Sequence, residues 1–210
     1  MTRLALILLL LPALASAQYL ERYGARVGGA GSTYVGDPDT EFDGVGGLVV
    51  GFTFDFYVSE TLTVRPELSY LNKGARVQTP VDFGDGGTPV DINARFDVTY
   101  IEVPVLVRYR PRPFARWTPA FHAGPTVAFN TGATVTFSAV GAEDTEFQQS
   151  DDSIKGVDYG FAAGAGIDVD LDGRLLSLEA RYTRGITNIV SDDDDPKFNG
   201  TWSLTLGIGL

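Results

Sequence analysis

Asp168, Asp170, Asp172, Gly173 and Glu179 follow the order Asp-x-Asp-x-Asp-Gly-x5-Glu. A calcium loop uses that spacing to gather carboxylate oxygens around a divalent ion, and Leu175 falls where such a loop usually carries an apolar residue. Calcium chemistry also needs a helix on each side to aim the oxygens. Here the flanks are Gly-rich, and Val169 and Leu171 alternate with the aspartates, so residues 168–173 read as a hairpin turn. No metal site is assigned, and the remaining calcium reading is a weak one through Asp170 and Asp172. His122 is the only imidazole for general-base work, and no Ser-centred motif accompanies it, so no catalytic residue is assigned. Asp192 to Asp195 read as a solvated loop tip, with divalent-ion bridging at the cell surface as the rival reading. Phosphate-loop, zinc and dinucleotide spacings are absent, so no cofactor is expected.

A second set of charges is placed by period. In DVTYIEVPVLVRYR, residues 97–110, Ile101, Val103, Val105, Val107 and Tyr109 are apolar, while Glu102, Arg108 and Arg110 are charged. A period of two means a strand with one greasy side and one ionic side. The same parity puts Arg26, Arg65, Glu67, Lys73, Glu102, Arg108, Glu179 and Arg181 on the ionic faces of their own strands. In a sandwich those faces meet water. In a membrane barrel they meet one another inside a closed lumen.

Eight such strands are readable. They begin near Tyr23, Gly46, Leu62, Asp97, Pro119, Asp158, Arg174 and Trp202. Residues 31–43, 79–96, 131–157 and 190–200 are long polar connections with net negative charge; the other three are short, and the one at 110–118 is basic. Strict alternation of long and short connections is what an up-and-down barrel gives, with short periplasmic turns and longer outer loops. Tyr57, Tyr109 and Trp117 fall near the short-turn end, and Tyr70, Phe129, Tyr159 and Trp202 near the long-loop end, as two interfacial girdles. Pro66, Pro104 and Pro125 lie inside strands, where they remove ladder donors, so local bulges or placement near the interface are expected there.

The rest of the chain sets the compartment. Arg3, the apolar run from Leu4 to Leu11 and Ala15-Ser16-Ala17 form the three parts of a secretory signal peptide over residues 1–17. The domain expected after it spans 18–210. The sequence has no Cys, so neither a disulfide nor a lipid-anchoring Cys is expected. A formal net charge of -11 argues against nucleic acid as a partner.

LTVRPELSYLNKGAR, YIEVPVLVRYR, FHAGPTVAFN, YGFAAGAGIDV and LEARYTRGITNI, in that order, resemble the PorT-like outer-membrane β-barrel proteins of Bacteroidota and their relatives. The most specific pieces are Pro66 to Leu68, Glu102-Val103-Pro104 and Ala123-Gly124-Pro125. The resemblance implies an eight-stranded barrel with both termini in the periplasm. One member of that family is associated with protein secretion. Leu210 departs from the pattern, standing where many outer-membrane strands end in an aromatic.

The expectation is therefore an all-β, eight-stranded antiparallel up-and-down transmembrane β-barrel in the cell outer membrane. Its lumen should be filled by a structural charge cluster of Arg26, Arg65, Glu67, Glu102, Arg108, Glu179 and Arg181. Its partners should be outer-membrane lipid, and envelope or secretion proteins met by its loops or turns. One rival is a soluble exported barrel with Phe52, Phe54, Val103, Val105 and Leu206 lining an apolar ligand cavity. The other is a lipid-modifying enzyme that uses His122.

Overall fold

The computed structural model of the protein describes residues 19–35, 43–81, 90–111, 117–139, 147–150, 156–188 and 198–210. The expected signal peptide and the Asp192–Asp195 tip lie outside the described residues, as does most of the basic turn. Nine strands are described: β1 (Leu20–Val35), β2 (Asp43–Ser59), β3 (Leu62–Val81), β4 (Val90–Tyr109), β5 (Trp117–Ala139), β6 (Phe147–Ser150), β7 (Val157–Leu171), β8 (Arg174–Gly185) and β9 (Phe198–Gly209). All pair antiparallel. Each of β1 to β5 joins the next, β5 joins β7, and β7, β8 and β9 follow in turn. β9 then pairs with β1 from Gly24↔Gly209 to Val35↔Phe198, which closes an eight-stranded ring; β6 is a short addition on the loop-side end of β5.

Alternation decides which way each side chain points. Phe52 is 57% exposed and Leu206 63%, and Phe54, Val107, Phe121, Phe161 and Leu204 are also on the outside. Arg108, by contrast, is 0% exposed and Glu67 2%. The apolar rival barrel required Phe52, Phe54, Val103, Val105 and Leu206 to point inward. Phe52, Phe54 and Leu206 are exposed on the outer face, and Val103 and Val105 share their parity, half-exposed, while their neighbours Glu102, Pro104 and Leu106 are buried. Glycine makes room for the long inward side chains. A Cβ at Gly164 would sit 2.4 Å from the Ala180 carbonyl oxygen and 2.5 Å from His122 Nε2, and one at Gly166 would sit 2.9 Å from Glu179 Cγ.

Two expectations change. Much of the polar connections at 79–96 and 131–157 is strand. β3 and β4 stay paired as far as Val81↔Val90, and β5 continues to Ala139. The signal lay in the alternation of Ile92, Ala94 and Phe96 with Asn93, Arg95 and Asp97, and of Ala133, Val135 and Phe137 with Thr134, Thr136 and Ser138. Polar, Gly-rich surroundings masked it. Nor do the prolines cause bulges. The β3–β4 register is the same at Pro66↔Val105 and Ser69↔Glu102, and the β4–β5 register is the same at Pro104↔Thr126 and Val107↔Ala123. The ladder simply omits the intervening pairs, where the proline nitrogens have no hydrogen to donate. Register shifts occur elsewhere, at Gly44/Val49 in β2 and at Thr99/Tyr100 in β4.

Candidate functional site

The inward residues of β1, β2, β3, β4, β5, β7, β8 and β9 meet in the lumen. Among the described residues five cations (Arg26, Arg65, Lys73, Arg108, Arg181) and six carboxylates (Asp55, Glu67, Glu102, Asp158, Asp168, Glu179) are buried there. Charges so far from water are tolerable only when each meets a partner.

Nearest the short turns, Arg65 holds Asp55 with two bonds of 2.7 Å and Glu179 with a third of 2.7 Å. Arg108 reaches Asp168 at 2.5 Å and Glu179 at 3.1 Å, and the Ser177 hydroxyl donates to Asp168 at 2.9 Å. At mid-height Arg181 grips Glu67 with bonds of 2.7 and 2.9 Å. Arg26 approaches the same carboxylate at 3.0 Å and donates to the Ser69 hydroxyl at 2.9 Å. Glu179 therefore serves three arginines on three strands, its bond from Arg181 being the longest at 3.5 Å. Planar guanidinium forks suit this work because one group can bridge two carboxylates at fixed angles.

Toward the loops the charge thins. Lys73 pairs with Glu102 at 2.8 Å and lies 5.1 Å from the centre of the Tyr100 ring. Asp158 accepts a 2.7 Å bond from the Asn199 amide and has no ion pair among the described residues. At the same levels Ala30, Val49, Leu71, Val98, Tyr100, Ala128 and Ala133 form an apolar cluster, with Ala128 the register partner of both Glu102 and Asp158 and Val98 that of Lys73. The arginine network thus lies toward the short turns, and toward the loops apolar side chains mix with the Lys73–Glu102 pair, Asp158 and Asn199.

The seven residues singled out from sequence, Arg26, Arg65, Glu67, Glu102, Arg108, Glu179 and Arg181, all sit in this lumen and are ion-paired. Asp55 and Asp168 complete the cluster. Their inward parity was legible, but Asp55 was not singled out, and Asp168 entered only within a calcium-loop spacing read as a hairpin turn. In the structure Asp168 and Glu179 turn inward to arginines. Asp170 instead accepts a 3.0 Å bond from the Gly173 amide, and Asp172 and Gly173 take φ of 55° and 91°, as in a two-residue hairpin turn. No metal-ligand group of three or more acidic, His or Cys residues occurs among the described residues. His122 accepts from Arg181 Nε at 3.2 Å through its Nε2, which puts the proton of the neutral ring on Nδ1, a buried atom with no hydrogen-bond partner among the described residues.

The outer face carries the two aromatic belts. Tyr109 and Trp117 are exposed at one end and Tyr70, Phe129, Tyr159 and Trp202 at the other, with Tyr182 packed on Trp202 at 4.8 Å between ring centres. Tyr57 is half-buried and stacks on Tyr19 at 5.1 Å.

The family model described as outer membrane protein beta-barrel domain matches residues 17–191. No curated protein matches the chain. Among solved structures, neisserial surface protein A is similar with a TM-score of 0.48 and 10% identity, over 89% of this chain and 96% of that one. The attachment invasion locus protein Ail of Yersinia pestis, in complex with the heparin analogue sucrose octasulfate, gives 0.44 and 15%, over 90% and 98%. OprG of Pseudomonas aeruginosa gives 0.40 and 17%, over 92% and 97%.

Proposed function

Because the chain belongs to the outer membrane protein beta-barrel domain family, we propose that it is a sealed outer-membrane barrel whose role is structural or interactive, exercised through its outer loops or periplasmic turns. Both termini face the periplasm in this reading, which rests on the long loops lying opposite the short turns. The observation that carries it is the lumen. Arginine forks bridge strands across it, and the apolar cluster of Leu71, Val98 and Tyr100 lies over them on the loop side. A part in protein secretion, beside other envelope proteins, is the finer form of the proposal and comes from the likeness to PorT-like proteins.

The reading also makes the protein a non-enzyme. What supports this is His122, buried at 4% exposure with Nε2 engaged by Arg181, away from the bilayer interface where a lipid ester would lie. Cells with and without the protein should yield identical lipid extracts by mass spectrometry. A deacylated species that disappears in His122→Ala would overturn it.

Two measurements test the main reading. Fractionated envelopes should release the protein only with detergent, and recovery in the soluble periplasmic fraction would sink it. Reconstituted in planar bilayers, the protein should give no conductance steps of porin size. Pull-down through the outer loops or the short turns then separates a secretion partner from a purely structural role.

A further inference from the structure

On the outer wall, the loop-side ends of β1 and β2 are stripped of side chains. Gly31 pairs with Gly46 across the two strands and with Trp202 of the upper girdle on β9. Sterics do not demand these glycines. A Cβ at Gly31 would meet nothing within 4 Å, and one at Gly29 or Gly46 would only touch a carbonyl oxygen at 4.0 Å. Their inward neighbours differ, since a Cβ at Gly47 would lie 2.3 Å from the Asn72 carbonyl oxygen. The outward glycines leave an open groove of about 720 Å³, with Gly29, Gly46 and Leu48 along its floor and Asn72, Arg95 and Asp97 at its polar end.

Beside that polar end two like charges meet, Arg95 in the lining of the groove and Arg76 next to it. Arg76 on β3 and Arg95 on β4 are direct cross-strand partners on the outward face. Like charges placed opposite one another repel, which costs stability unless an anion sits between them. Asp97 holds Arg95 at 2.8 Å, and no described side chain pairs with the exposed Arg76. On its other side Arg76 stands opposite Asp43 of β2 in the register, so the two arginines and two aspartates together carry no net formal charge in a chain of -11.

We propose that this groove holds a phosphorylated lipid of the outer leaflet, with its phosphate between Arg76 and Arg95 and an acyl chain over Gly29, Gly46 and Leu48. The groove runs from Arg95 to the glycine floor, beside the Gly31↔Trp202 pair that sets the level of the girdle. A free phosphate would use only the upper end. The Asn72 amide donates to the Thr99 hydroxyl at 3.1 Å, which fixes the polar wall between the two regions. The inference rests on the membrane placement proposed above. Recovery in the soluble fraction would sink both, whereas the following binding test reads the inference alone.

The full chain in detergent micelles is titrated with fluorescent diphosphorylated lipid A, with inorganic phosphate as the rival probe. Two surface arginines near an anionic lipid are worth roughly thirtyfold in affinity, so R76Q/R95Q should weaken lipid A binding by about that factor. R76K/R95K should keep most of it, and G46L, which fills the floor, should weaken lipid A without changing the response to phosphate. All variants are checked for heat-modifiable gel mobility, the sign of a closed barrel. Equal lipid A affinity in wild type and a closed R76Q/R95Q would overturn the proposal. So would efficient displacement of lipid A by inorganic phosphate with no effect of G46L, which would leave a headgroup-only anion site.

Discussion

Glu67 shows how much one side chain can carry in this interior. It is the common partner of Arg181 and Arg26, and truncating it leaves Arg26 without its ion pair and Arg181 with only the 3.5 Å contact to Glu179. Breaking a buried pair from one side costs about 3–5 kcal/mol, and Glu67→Ala should lower unfolding stability in urea-treated vesicles by that order. Replacing Glu67 together with both arginines, as in Glu67→Leu with Arg181→Met and Arg26→Met, should recover most of the loss, because the desolvation penalty leaves with the charges. A triple variant no more stable than Glu67→Ala would mean that the three do not act as a unit. Glycine offers a sharper contrast. Gly164→Ala forces a methyl against the Ala180 carbonyl and His122, and should cost about 1–3 kcal/mol, while Gly31→Ala should stay within about 0.5 kcal/mol. At this scale parity was readable, so the inward arginines could be named from sequence. Who pairs with whom was not, since Arg65 and Glu179 are 114 positions apart and meet only because the ring closes.

Strands and turns were legible to different degrees. Those within the bilayer belt, such as residues 101–109 and 202–208, alternate greasy with small or ionic residues and were readable directly. The upper halves of β4 and β5 were not, because outside hydrocarbon the outward positions can be Thr, Asn or Arg and the contrast fades. The β7–β8 turn was legible as a hairpin despite its calcium-loop spacing, which arises from a two-residue turn flanked by inward acids. Its backbone makes the distinction testable. Gly173 at φ 91° should resist substitution, with Gly173→Val slowing or preventing closure, whereas Asp172→Gly should be tolerated. Added calcium should leave the thermal midpoint of the wild type unchanged, and a rise of several degrees that vanishes in Asp170→Ala would restore the metal reading.

The whole molecule inverts the usual arrangement of a water-soluble domain, and a charged residue on its outer wall should report that. Phe52→Arg places a cation on the lipid-facing belt and should cost about 2–4 kcal/mol of insertion stability, seen as a reduced folded fraction in vesicles of rising thickness. Thr205→Ser, on the inner wall, should leave that fraction unchanged. The seam between β1 and β9 has its own implication. A ring whose first and last staves meet can shut only after the whole ribbon has been threaded out of the cell interior. Until then, two raw edges and a greasy flank travel unprotected through an aqueous compartment, in the form most prone to clump. Survival on that journey depends on escorts that grip extended chain, so loss of a periplasmic holdase should deplete this protein before it disturbs any of the salt links inside it.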